Sequence, residues 1–147
     1  MSWSPHVVVA SIVERDGRFL MVEEQIAGAL RLNQPAGHWE KDETLVEGAI
    51  REALEETRWQ VMPTHVLGLY HHDPLELDYG FLRVAFIARA ELEHRERRLD
   101  TGIERAVWMT RAEIAASVAI HRSPMVLRCV DDYLAGVRYP LELIAHL

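Results

Sequence analysis

The sequence predicts an α/β fold built on a mixed sheet, and three observations carry that prediction. Short apolar or alternating runs of strand length occupy both halves of the chain. Between them stands one amphipathic helix that opens on a capping box. Helical patterns return only after the last strand-like run. With 147 residues the chain is most simply one domain, residues 1–147, large enough for a sizeable core.

The elements follow in order. Val7 to Val13 is a nearly continuous apolar run, as expected of a buried strand. Asp16-Gly17 signals a tight hairpin, and Phe19 to Val22 returns as the second strand. Gln25 to Leu32 reads as a loop or a short edge strand, and Pro35 ends regular pairing. Gly37 to Glu43 is the loop that feeds the central helix. Thr44 and Glu47 form the capping box, and Leu45, Ala49, Ala53 and Leu54 recur at helical spacing, giving a helix from Leu45 to about Thr57.

Beyond that helix, Gln60 to His71 reads as a strand, with Pro63 implying an edge or a bulge near its start. Tyr79 to Ala90 shows the clearest alternation, and Glu91 to Gly102 is a charged loop. Glu104 to Met109 is a short strand. Thr110 and Glu113 cap a helix to about Val118. Ser123-Pro124 opens another, with proline at the first helical position; it runs to about Leu134 and Gly136 stops it.

The charges on the central helix are unusual. Glu52, Glu55 and Glu56 stand at i, i+3 and i+4, so their carboxylates project to one side. Each like-charged pair costs roughly 0.2–0.5 kcal/mol, and the last turns of a helix disfavour anions further. Hard cations with oxygen ligands reverse both terms. Mg²⁺ takes one or two carboxylates together with waters and substrate phosphates. Glu43 lies within reach of Arg51, and that pair would hold the loop against the helix.

Composition narrows the function classes. Nearly half the residues are apolar, which argues against disorder. A net charge of −7 argues against a non-specific nucleic-acid binder, which needs a basic face. It also means that a polyanionic substrate needs metal and local arginines to approach. Cys129 stands alone, so neither an intrachain disulfide nor a cysteine metal site is expected. The opening Met1-Ser2-Trp3 segment shows no leader pattern and no run reaches membrane-span length, so a cytoplasmic protein is expected.

The segment from Gly37 to Trp59 resembles the Nudix box, the signature of the Nudix hydrolases. The matching positions are Gly37, Glu43, Arg51, Glu52, Ala53, Glu55, Glu56 and Trp59; Arg58 stands where the family has a second glycine. That glycine normally ends the helix in a left-handed conformation, so Arg58 either bears strain of about 1 kcal/mol or lets the helix run on. Further likeness lies in Asn33-Gln34-Pro35-Ala36-Gly37-His38, Phe81-Leu82-Arg83, Arg122-Ser123-Pro124 and Arg138-Tyr139-Pro140-Leu141-Glu142, which are similar to the bacterial phosphatase NudJ group.

The resemblance implies an α/β/α sandwich with the mixed sheet between the box helix and the C-terminal helix. It implies Mg²⁺, with Mn²⁺ as a substitute, held by Glu52, Glu55 and Glu56 and by the backbone carbonyl of Ala36. Arg51 and Glu43 would orient those glutamates. The implied reaction is hydrolysis of a small-molecule nucleotide or organic pyrophosphate by a monomer or homodimer. A NudJ-like phosphatase would release terminal orthophosphate, with hydroxymethylpyrimidine pyrophosphate and thiamine pyrophosphate as further substrates. The alternatives are a pyrophosphohydrolase that cuts an internal bond and a nucleotide-binding sensor without turnover.

Other residues carry two readings each. Arg83 lies either on the solvated sheet face or against a phosphate or base. Glu104 is either an extra metal ligand or general base, or a surface acid. Gln34 and His38 flank the box loop as candidate substrate contacts, although His38 fits a local hydrogen bond equally well. His71-His72 reads as a strand end, and Glu93 to Arg98 as a solvated loop. Arg122 and Arg138 reach either the pocket or a dimer contact.

Overall fold

Alternation along the strands sorts the apolar residues onto two sheet faces, and each face receives a helix. A computed structural model describes residues 3–147; Met1 and Ser2, part of the segment expected to lack a leader, lie outside them. Strand β1 (His6–Arg15) turns through Asp16-Gly17 into β2 (Arg18–Ile26). Both turn residues have positive φ, 53° and 79°, the geometry that matches a twisted hairpin. A second turn at Ala27-Gly28, also at positive φ, leads to β3 (Ala29–Asn33), which pairs antiparallel with β2. The segment from Gln25 to Leu32 is therefore an edge hairpin arm.

One expected loop contains a strand. Residues Ala36–His38 form β4, antiparallel to β1 with Ala10 opposite Ala36 and Val8 opposite His38. Three residues around a glycine carry no alternation to read, so this pairing is imposed by the neighbouring β1. Helix α1 (Leu45–Thr57) starts on the Thr44–Glu47 capping box and stops at Arg58, whose φ of 68° is left-handed. The arginine thus bears the strain, and the helix does not run on. The charged loop after β6 is not wholly solvated: His94 and Asp100 donate backbone N–H groups to the carbonyls of Arg58 and Glu55, at 2.7 and 3.0 Å. Those bonds satisfy orphan acceptors at the helix end.

Strands β5 (Trp59–His72) and β6 (Phe81–Glu93) pair antiparallel, with a register shift between Pro63 and His65. β5 is an edge strand, so the proline sits where sheets tolerate it. β6 runs three residues past the expected end. It lies parallel to β1, from His6 opposite Phe81 to Val13 opposite Ala88. The sheet order is β3-β2-β1-β6-β5, with β4 on β1 and β7 (Ile103–Thr110) on β2. β1 meets β2 only at two pairs beside the hairpin turn. Beyond them the sheet parts into two wings, and the opening between the wings becomes the cleft.

On one face Val9, Val84 and Phe86 pack with Ala49 of α1, and Val13, Leu20 and Ala88 with Ala53. On the other, Ile12, Ala85 and Ile87 pack with Val126, Cys129 and Val130 of α3 (Met125–Leu134). This is the α/β/α sandwich with a mixed sheet. Helix α2 (Arg111–Ala116) has its Thr110–Glu113 capping box but ends two residues early, in a 3₁₀ turn at Val118–Ile120. Gly136, with φ 85°, turns the chain away just beyond α3. Tyr139 then pairs with Val66 on the outer edge of β5. Among the described residues no helix is long and apolar enough to cross a membrane.

Candidate active site

Arg51 organises the box. Its Nε and Nη2 donate to the two oxygens of Glu43, each at 2.9 Å, and Nη2 also reaches the His38 carbonyl at 3.1 Å. Nη1 donates to Glu52 at 2.8 Å and to Glu55 at 3.2 Å. One planar guanidinium therefore ties loop, β4 and helix together, which an ammonium has too few fixed donors to do. The Glu43 carboxyl is held below the usual carboxylate range, chiefly by its hydrogen bonds from Arg51.

Gly37 and Glu56 complete the contact between β4 and α1. A Cβ at Gly37 would collide with the Glu52 carboxylate, so only glycine lets that side chain lie over β4. Glu56 is 8% exposed and accepts from the Ala36 N–H at 2.9 Å. Burial pushes its pKa up to about 9, against the pull of that hydrogen bond and with added repulsion from Glu52 and Glu24. Glu52 and Glu55 are raised too, again mainly by burial.

All of these groups except Glu43 line a cleft of about 560 Å³ between the sheet wings. Seven carboxylates and three arginines face it, so an incoming phosphate meets net negative charge unless cations accompany it. Among the described residues no three His, Cys, Asp or Glu side chains converge on one point as ligands of an ion do. Arg51 holds Glu52 and Glu55, and the Ala36 amide holds Glu56. The donor set nonetheless suits a hard divalent cation: it is all oxygen, and Glu56 is a buried acid with no cationic partner among the described residues.

The structure places the remaining candidate residues relative to the cleft. Arg83 is 2% exposed and lines the floor, so it is not on a solvated face. Gln34 does not line the cleft. It is buried, accepts from Arg83 Nη1 at 2.8 Å, and donates to the Val126 carbonyl at 2.7 Å. Gln34, expected as a candidate substrate contact, thus stands behind Arg83. Glu104 also stays outside: it is exposed and is the extra residue of a bulge between β2 and β7. His38 lines the cleft and pairs with His6 at 3.0 Å between ring nitrogens. Arg122 faces the cleft, whereas Arg138 lies over the Tyr133 ring.

The family follows from this constellation and from direct comparison. The NUDIX domain family matches residues 4–129. This chain belongs to the Nudix family. Phosphatase NudJ of Escherichia coli K12 is 41% identical over 143 residues, 97% of this chain and 92% of its own. A NUDIX hydrolase from Nitrosomonas europaea is likewise 41% identical and superposes with a TM-score of 0.96 over 98% of each chain. An ADP-ribose pyrophosphatase from Streptococcus suis, 13% identical, aligns at a TM-score of 0.67 over 88% of this chain and 92% of its own, which shows shared fold alone.

As a Nudix hydrolase the protein acts on phosphoric anhydride bonds. The family generally uses divalent cations and small-molecule nucleotide substrates. Three cleft residues have no role that the sequence assigned, Asn33 standing there only within the NudJ-like segment. Glu24, on β2, has its pKa raised by burial and by the charge of Glu52. Asp100 adds to the repulsion felt by Glu52, Glu55 and Glu56. Asn33 accepts from Arg83 Nη2 at 2.8 Å. None of the three has a spacing that marks it, because each reaches the cleft through a crossing of separate segments.

Proposed function

We propose that this Nudix protein is a Mg²⁺-dependent phosphatase of nucleoside triphosphates and diphosphates and of related organic pyrophosphates, releasing terminal orthophosphate. The observation that carries this reading is the buried Glu56 carboxyl beside Glu52, in a cleft whose floor holds a buried arginine. Carboxylates without enough cations and an arginine without a carboxylate share one space. A metal-bound phosphate chain satisfies both. Hydroxymethylpyrimidine pyrophosphate and thiamine pyrophosphate are further candidate substrates, in keeping with the likeness to Phosphatase NudJ.

Glu52, Glu55 and Glu56, with the carbonyl of Ala36, would hold the metal. Once bound, the ion supplies neutralisation of phosphate charge and a water of lowered pKa. The protein's own residues do the rest. Arg51 and Glu43 fix the direction of the ligating carboxylates, a role that supporting residues commonly play around metals. Arg83 and Arg122 attract and orient the phosphate chain, and the sheet wings exclude bulk water from it. Mn²⁺ suits the same oxygen donors.

Product analysis tests the proposal. The protein is given GTP and a pyrimidine pyrophosphate in Mg²⁺, orthophosphate and pyrophosphate are both scored, and Glu56→Gln serves as control. GDP with orthophosphate is expected, and little from the variant. GMP with pyrophosphate would overturn the terminal-phosphate assignment and make the protein a pyrophosphohydrolase. Nucleotide binding without product would make it a sensor.

A further inference from the structure

Strand β6 presents two unlike ligand groups to the cleft, two residues apart. Phe81 and Arg83 lie on one sheet face because side chains alternate, about 7 Å apart along the strand. Both line the cleft. Arg83 is fixed by neutral partners only: Nη1 donates to Gln34 Oε1 and Nη2 to Asn33 Oδ1, both at 2.8 Å. Among the described residues its Nε has no partner, and none of the ion pairs includes it. A buried cation with no counter-charge is costly. Its charge stays fully available to an anion brought from outside.

Phe81 is held just as firmly. His6 and Tyr79 meet its ring nearly at right angles, at 5.8 Å and 77° and at 5.5 Å and 70°. His6 and Tyr79 stack on each other at 4.0 Å. His72, opposite Phe81 on β5, and Leu77 and Met125 also line the cleft. A braced aromatic ring beside apolar walls is a platform for another flat ring, because offset stacking adds to simple area burial. The carboxylates of α1 line the same cleft, so it joins an apolar, aromatic region to an acidic one.

We propose that β6 sets the class and direction of the substrate. A planar heterocycle lies on Phe81, the phosphate nearest the ring is held by Arg83, and the terminal phosphate reaches the α1 carboxylates. Asn33 and Gln34 are positioning residues that aim Arg83. This inference rests on the reading of the cleft as a phosphoanhydride site.

Equilibrium binding by calorimetry in Mg²⁺ tests it, using a non-hydrolysable imido analogue of GTP and, as the ringless control, inorganic tripolyphosphate. Phe81→Leu is expected to weaken the nucleotide about 10-fold or more and to leave tripolyphosphate unchanged. Asn33→Asp keeps both acceptor roles of residue 33, toward Arg83 and toward the Gln34 N–H, but neutralises the arginine. It is expected to weaken both ligands about 10-fold while the melting temperature holds or rises, which a merely structural role of Asn33 would not produce. Equal loss of both ligands in Phe81→Leu, no loss of either, undiminished tripolyphosphate binding by Asn33→Asp, or a wild type that binds neither ligand overturns the proposal. Binding needs no turnover. A protein with the expected binding pattern that releases no phosphate would refute the proposed function and uphold this inference.

Discussion

Arg51 and Glu43 face each other across one loop and two helical turns, joined by two hydrogen bonds of 2.9 Å. The pair is partly solvated, with side-chain exposures of 23% and 14%, so its main effect is on orientation and less on stability. Glu43→Gln keeps the shape and removes the charge-assisted fork. The expected result is a fall in kcat of about 10- to 100-fold, with the melting temperature nearly unchanged. A variant with wild-type kcat at saturating Mg²⁺ would remove Glu43 from the supporting role.

Gly37→Ala probes the approach of Glu52 to β4. The added methyl occupies the space of the carboxylate, so Glu52 must swing away from both Gly37 and Arg51. Turnover should drop about 100-fold or more, as misplacement of catalytic groups by an ångström does. Steady-state rates alongside circular dichroism separate this from unfolding. A folded variant of undiminished rate would show that Glu52 is not needed where it lies.

The pH dependence of stability without metal has a definite sign. Burial raises the Glu56 pKa from 4.5 to about 9, so the folded protein keeps a proton that the unfolded chain releases. Its contribution is full below pH 4.5 and is lost as pH rises toward 9. Melting temperature in a chelator should therefore fall across that window. Glu56→Gln should flatten the fall and melt higher than wild type at pH 8, by about 2–4 °C per kcal/mol recovered, while losing turnover by orders of magnitude. A variant as pH-sensitive as wild type would contradict the assignment.

Divalent cation reverses the same penalty. Mg²⁺ at about 100 times its Kd should stabilise the fold by about 2.7 kcal/mol, with a larger rise in melting temperature at pH 8 than at pH 5.5 for one Mg²⁺ concentration, because the ion displaces the Glu56 proton more readily as pH rises. Thermal scans over a Mg²⁺ titration read this directly. An equal rise at both pH values would place the ion away from Glu56.

Arg58→Gly restores a residue suited to φ of 68°. Relief of strain should add about 1 kcal/mol, offset in part by the greater freedom of glycine in the unfolded chain. The expected gain is a few degrees in melting temperature with kcat unchanged. A loss of stability would mean that packing of the Arg58 stem outweighs its backbone strain.

The elements that could be read in advance were those whose signal is local. Alternation placed β6, the capping boxes placed the starts of α1 and α2, and Pro63 foretold the irregular edge strand. The i, i+3, i+4 spacing of Glu52, Glu55 and Glu56 put three carboxylates on one helix side, and all three line the cleft. What escaped depends on distant segments meeting. β4 exists because β1 lies beside it, Asn33 and Gln34 matter because Arg83 arrives from β6, and Asp100 joins through its bond to the Glu55 carbonyl. The exposed place of Glu104 was equally hidden, because being next to a strand start says nothing about which way a bulge turns the side chain.

The trio Arg83, Asn33 and Gln34 also bears on how this protein is free to vary. Losing the arginine alone strands buried amide oxygens, and losing either acceptor oxygen loosens a buried cation; each such step is worse than the arrangement it leaves. Gln34 is moreover bonded to the Val126 carbonyl in α3, so the cost spreads to the helix behind it. Descendants of this chain should therefore keep the three together or exchange them together, while the loop residues around the cleft mouth drift one at a time.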